Sequence, residues 1–467
     1  MKRGDRLGRC PRFYFFRSQE FSPEEISQSS SSPSSQSFIF YRNPHRNYPI
    51  AARSDGVYIY DTDGKRYLDA YAGLWNVNVG YGRAEIADAA YEQLQKLCYY
   101  PHAQINLPAT KLAARLAEIL PGDLSHSFFC NSGSEANETA FKIARQYSRQ
   151  QHPGENRYKI IARYQGYHGF TYGAMSATGQ VGRRSKFEPL VPGFLHVDPP
   201  YCYRCPLNRT YPECGVACVE EFEKIIVREG PETVAAVIVE PVIGGGGVIV
   251  PPAEYLPRLR QICDRYDVLL ILDEVITGFG RTGKLFAAEH WGVAPDIATL
   301  AKGVTSGYLP LGACATTPEI FSAFLGEPGA GREFAQVSTY GGHPVCCAAA
   351  LANIEIILRE RLWENAARVG AYLLAKLQAL GSPFVGDVRG LGLMIAVELV
   401  DDSGAVLDAE RAAKVAAGIR QAGVIVGRMS HVMAGPESTF FVAPPLILTE
   451  AQADQIAAAF AAGLDAI

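Results

Sequence analysis

Eleven cysteines in 467 residues are too few for a secreted scaffold built on disulfides. No uninterrupted apolar run reaches about 18 residues, so no membrane-spanning helix is expected. An excess of one charge is also missing. The 44 basic and 48 acidic residues leave a net charge of −4, which gives no reason to expect nucleic acid or an anionic membrane as a partner. No repeat of 20–50 residues marks a solenoid. The glycine run Gly244–Gly247 is followed by Val248-Ile-Val-Pro rather than by a helix, so it does not match the dinucleotide-binding layout and argues against a nicotinamide site. What remains is ordinary for a globular enzyme: 48% hydrophobic and 20% charged residues, with length for two or three domains. A cytoplasmic location is expected.

Two apolar runs end abruptly in a charge. Val268-Leu-Leu-Ile-Leu-Asp-Glu-Val275 reads as a strand buried on both faces and closing at Asp273, and Ile297-Ala-Thr-Leu-Ala-Lys302 ends at Lys302. Ligands of open α/β sheets collect at the carboxyl ends of such strands. A desolvated lysine there is neutral enough to bond a carbonyl carbon. Taken singly, each charge is explained as well by a helix cap or a solvated strand end. The sequences Leu-Asp-Glu-Val-Ile-Thr-Gly-Phe-Gly-Arg-Thr-Gly (272–283) and Ala-Lys-Gly (301–303) resemble the class III aminotransferases, which use pyridoxal 5′-phosphate. The resemblance extends from about Tyr48 to the C-terminus and is nearest to the amine and β-alanine:pyruvate members.

Other segments take their meaning beside it. Ser127-Phe-Phe-Cys-Asn-Ser-Gly-Ser-Glu-Ala-Asn137 predicts a strand, a tight turn and a helix with Ala136, Ala140, Ile143 and Tyr147 on one face. A helix N-terminus there offers an anion site, although a plain cap explains the turn equally well. The resemblance gives Gly133 and Ser134 the cofactor phosphate. In Tyr167-His-Gly it lays Tyr167 against one face of the pyridine ring, with Val275 on the other and His168 in support. Val234-Ala-Ala-Val-Ile-Val-Glu240 is another buried strand, and Glu240 joins the expected cofactor-binding residues. Val337-Ser-Thr-Tyr-Gly-Gly-His-Pro344 resembles the family segment that reaches across a dimer interface, and the resemblance gives Thr339 the cofactor phosphate of a neighbouring subunit. That implies a homodimer with shared sites, with pairing into tetramers left open. In Ala72-Gly-Leu-Trp-Asn76, the resemblance places Leu74 and Trp75 in the substrate pocket; a core plug is the other reading of Trp75.

The chemistry implied is a two-step, ping-pong amino transfer. Lys302 holds the cofactor and moves the proton, while Asp273 keeps the ring nitrogen protonated. Relatives that use 2-oxoglutarate carry an arginine and a masking glutamate where this chain has Phe441 and Gly245, so the expected acceptor is pyruvate. Arg428 is the candidate for its carboxylate, with an ordinary surface arginine as the alternative. An aminomutase, racemase or decarboxylase of the same fold, or a 2-oxoglutarate-using aminotransferase, is the competing reading.

The fold that the resemblance implies is α/β, the fold type I of pyridoxal phosphate enzymes. It comprises a mainly parallel seven-stranded sheet in a large domain (91–343) and a small α+β domain built from both chain ends (46–90 and 344–467). Val57–Leu68 predicts a hairpin around Asp63-Gly64, and Val442–Leu448 a late strand. Residues 1–45, Ser-rich over 27–37, are expected to be a disordered tail or a transit segment. Cys202, Cys205, Cys214 and Cys218 leave open a zinc site, reversible disulfides or a metal-free cluster, and no metal is assigned to the active site.

Overall fold

The computed structural model describes Phe40 and residues 50–101, 104–429 and 438–467. The serine-rich stretch of the tail lies outside these. Two compact units are present. The small one holds the described residues up to Arg53 and Tyr60–Lys65. Its turn is the expected one: Gly64 has φ +80°, and the Asp61 carboxylate accepts the N–H groups of Asp63 and Lys65.

The second unit carries everything else. Its centre is a seven-stranded sheet in the order His126–Cys130, Gly312–Thr316, Ile297–Leu300, Leu269–Asp273, Val234–Val239, Lys159–Arg163 and Phe194–Val197. Gly312–Thr316 is antiparallel to both neighbours, and the remaining pairs are parallel. The unbroken apolar run of Val234–Val239 follows from burial on both faces. Ala236 and Ile238 join Ile271 under Ala140, Ile143 and Ala144 of the Gly133–Gln151 helix. Val237, Val239, Leu270 and Leu272 point the other way, against Phe222, Leu259 and Ile262 of the Ala217–Glu229 and Tyr255–Arg265 helices. Each such large aliphatic or aromatic side chain contributes about 1.5–3 kcal/mol on burial.

After the long Pro344–Arg359 helix comes a four-stranded antiparallel sheet, ordered Val385–Gly390, Ile395–Leu399, Thr439–Val442 and Gly427–Arg428. The late strand differs from expectation. It stops at Val442, because Pro444 and Pro445 have no N–H to continue a ladder and the Pro444 carbonyl accepts from Arg281 instead.

The cysteine-bearing loop is tied to this sheet. Arg204 Nε lies 2.6 Å from Glu398 Oε1, Arg389 Nη1 lies 2.9 Å from Glu398 Oε2, and the Tyr201 hydroxyl donates to the same carboxylate. Its four thiols are unpaired, and burial pushes that of Cys218 up to about 12. Among the described residues no group of three or more His, Cys, Asp or Glu side chains is placed to hold a metal ion.

Candidate active site

Strand direction assembles the site. Asp273 closes its strand opposite Thr299, and Lys302 follows the adjacent parallel strand by two residues. Asp273 is buried and fully engaged. Its Oδ2 accepts from Asn137 Nδ2 at 2.8 Å and lies 2.8 Å from His168 Nδ1; its Oδ1 accepts the Val275 N–H at 3.1 Å. Asn137 also donates to the His168 carbonyl at 2.6 Å, and the His168 N–H donates to Thr178 Oγ1 at 2.9 Å. The carboxylate is thereby fixed in direction from three sides.

Lys302 is partly buried, with φ +43° in the left-handed region. Burial lowers the pKa of its amine from the ordinary 10.5, while the nearby Asp273 and Glu240 carboxylates work in the opposite sense. Glu240 is itself buried. It accepts the Tyr167 N–H on Oε1 and the Gly244 N–H on Oε2, both at 2.9 Å, and burial raises its pKa, with His168 opposing and Asp273 assisting. Tyr167 is thus anchored through its backbone, and its ring lies 4.9 Å from the Arg183 guanidinium carbon.

The Gly133–Gln151 helix begins beside these groups, capped by Ser132, whose hydroxyl accepts the Glu135 N–H. A Cβ on Gly133 would sit 2.8 Å from Val275 Cγ1, so glycine permits the close approach. Ser134 Oγ accepts the Phe170 N–H at 3.1 Å.

Other expected residues lie further out. Trp75 is buried, with φ +61°; its indole donates to the Tyr71 hydroxyl at 2.9 Å and its ring lies 5.3 Å from that of Phe441. Leu74 and Thr339 are exposed. The Thr339 segment passes the strand–helix junction, where Asn131 Nδ2 reaches Ser338 Oγ at 3.5 Å. Arg428 is half-buried opposite Phe440, two positions before residues 430–437, which are not described. Phe441 is buried, and the nearest group to the missing side chain of Gly245 is the Gln180 amide, at 3.7 Å. The sequence reading missed Asn137 altogether, although it stands one helical turn after Gly133 and therefore on the same face.

Residues 40–464 match the family described as Aminotransferase class-III. The uncharacterised aminotransferase YhxA of Bacillus subtilis is 50% identical over 404 residues, covering 86% of this chain and 88% of its own. A taurine–pyruvate aminotransferase of Bilophila wadsworthia is 43% identical over 423 residues, covering 89% and 92%. The crystal structure of a Bacillus anthracis aminotransferase superimposes with a TM-score of 0.90 at 44% identity, covering 95% and 98%. The chain belongs to the class III aminotransferases. It is an enzyme of fold type I whose cofactor is pyridoxal 5′-phosphate.

Proposed function

We propose that this enzyme moves an amino group from an amine or ω-amino acid to pyruvate, using Lys302 and Asp273 as its catalytic residues. The reading is carried by the convergence of a fixed, buried carboxylate and a desolvated amine at the carboxyl ends of adjacent parallel strands. The donor set suits the cofactor: an amine for its aldehyde, an anion for its ring nitrogen and a helix N-terminus for its phosphate. When bound, the cofactor serves as the electron sink for the carbon that loses a proton. Lys302 would hold it through its side-chain amine and, as a free amine, would carry that proton as general base and acid. Asp273, oriented by Asn137 and His168, would keep the ring nitrogen protonated. Gly133 and Ser134 would receive the phosphate, Tyr167 and Val275 would flank the ring, and Glu240 holds the Tyr167 backbone.

Thr339 of the partner subunit completes the phosphate site in a homodimer. Exposed Val337, Tyr340, Phe170 and Leu74 support such an interface. We assign residues 46–90 and 344–467 to a small domain and residues 91–343 to a cofactor domain. Among the described residues no helix is long and apolar enough to cross a membrane, and a cytoplasmic location is proposed.

Pyruvate is favoured because Phe441 is buried against Trp75 and Gly245 has no side chain, so neither supplies the charge switch of 2-oxoglutarate users. The Bilophila relative, named for pyruvate, supports the same acceptor. Leu74 and Trp75 line the substrate side, and Arg428 takes the keto acid carboxylate. The test is the absorbance spectrum of the purified enzyme with pyridoxal 5′-phosphate. A visible band should bleach with an amine donor and return with pyruvate; return with 2-oxoglutarate alone would reject the acceptor. Arg428→Ala should raise KM for pyruvate by about 10–100-fold, the value of a charge-assisted hydrogen bond. KM for an uncharged aryl amine should stay within about two-fold. Equal changes in both would remove Arg428 from the carboxylate site.

A further inference from the structure

The turn that carries Lys302 is short and strained. Residues Lys302–Val304 form one 3-10 turn, closed by the N–H of Val304 on the Ala301 carbonyl and of Thr305 on the Lys302 carbonyl. Lys302 is a side-chain-bearing residue at φ +43°, a conformation that persists only where surrounding structure enforces it. A turn of this length leaves its last carbonyls without partners of their own.

Those carbonyls are met by a residue some fifty positions away. Asn353 lies on the Pro344–Arg359 helix, amid Ala349, Ala350, Ile354, Ile356 and Ile357, and is fully buried. Its Nδ2 donates to the Gly303 carbonyl at 2.8 Å and to the Val304 carbonyl at 2.9 Å. A primary amide in an apolar helix face costs free energy unless its hydrogen bonds are made, and both of its N–H groups point at this turn. The Asn78 amide also packs close to the turn: a Cβ on Gly303 would stand 2.6 Å from Asn78 Nδ2. Asn78 is held in turn by Arg281 Nη2 on its Oδ1 at 2.8 Å and by its own bond to the Phe279 carbonyl at 2.9 Å.

We propose that Asn353 is a positioning residue for the transfer reaction: by bonding the Gly303 and Val304 carbonyls it holds the left-handed backbone of Lys302 and so sets where the lysine amine points. This rests on the assignment of Lys302 made above. A small misplacement of a reacting group costs about a hundred-fold in rate. Asn353→Asp keeps the shape and, whether the buried carboxyl is protonated or ionised, removes at least one of the two donors. It should lower kcat by about a hundred-fold with KM for the amine changed less than about three-fold.

A second readout needs no turnover. In the cofactor-free protein, acylation of Lys302 by acetic anhydride, followed by mass spectrometry, should show its pH midpoint move up toward that of an ordinary lysine. In the Lys302→Ala background the same Asn353→Asp change should leave noncovalent binding of pyridoxal 5′-phosphate within about two-fold, because the residue acts through the lysine. Asn353→Ser, which removes one of the two donors, asks the same question should the aspartate variant not fold. An unchanged kcat and acylation midpoint would overturn the proposal. So would an equal loss of cofactor affinity with and without Lys302, which marks a merely structural role. If Lys302→Ala still yields a borohydride-stable lysine link to the cofactor, the assignment of Lys302 itself fails, a result distinct from either of these.

Discussion

Lys302→Ala should lower the rate of amino transfer by roughly ten-thousand-fold, the upper range for loss of a positioned acid–base group, and should abolish the visible band of the lysine-bound cofactor. The fold should survive. Removing a desolvated amine takes away an unfavourable burial rather than a core contact. The variant also changes the pH dependence of stability in a defined direction. The pKa of Lys302 is lowered in the folded protein, so between that value and the ordinary 10.5 the unfolded chain binds more protons. Stability of the cofactor-free protein should therefore rise with pH in that window. The contribution is absent below the lowered pKa and complete above 10.5. Thermal unfolding of wild type and variant across this range should show the extra rise only where Lys302 is present. A variant that retains transfer activity within ten-fold would remove Lys302 from the chemistry.

The two charges that end apolar runs were the most legible part of the site. Burial on both faces makes a parallel strand a continuous hydrophobic word, and Asp273 and Lys302 stand just beyond two such words. The groups that aim them were harder to read. Asn137 and Asp273 are 136 positions apart, His168 and Asp273 are 105 apart, and Asn353 meets Gly303 across 50. No local spacing records contacts of that kind; only the sheet order and the helix that packs on it bring them together. Backbone strain was equally silent. Trp75 and Lys302 adopt left-handed conformations that neither residue type favours, and each is imposed by packing: the Tyr71 and Phe441 rings around one, the asparagine amides around the turn of the other. The misjudged strand after Val442 shows the opposite case. Val442 and Leu446 to Leu448 read as apolar, but the prolines between them forbid the ladder, and that local signal was outweighed by hydrophobicity.

Asp273→Asn should cost about a thousand-fold in kcat with only a modest change in KM. The reason is charge rather than shape. An anion beside a ring nitrogen raises that nitrogen's pKa by about 1–3 units, and the amide that replaces it carries none. Three units correspond to about 4 kcal/mol, or a thousand-fold. The surroundings make the substitution worse than neutral. Asn137 Nδ2 and the Val275 N–H both donate to the carboxylate, and His168 Nδ1 lies at bonding distance. An amide at this position turns one of its own N–H groups toward donors, leaving at least one buried group without a partner at about 1–3 kcal/mol. The variant should thus be both slow and less stable, whereas Asn137→Ala, which removes one donor and leaves the charge, should fall between it and wild type in rate. Stopped-flow measurement of the amine half-reaction, together with denaturant unfolding, separates the two effects. A rate loss under ten-fold with full loss of stability would mean that Asp273 serves the fold and not the ring nitrogen.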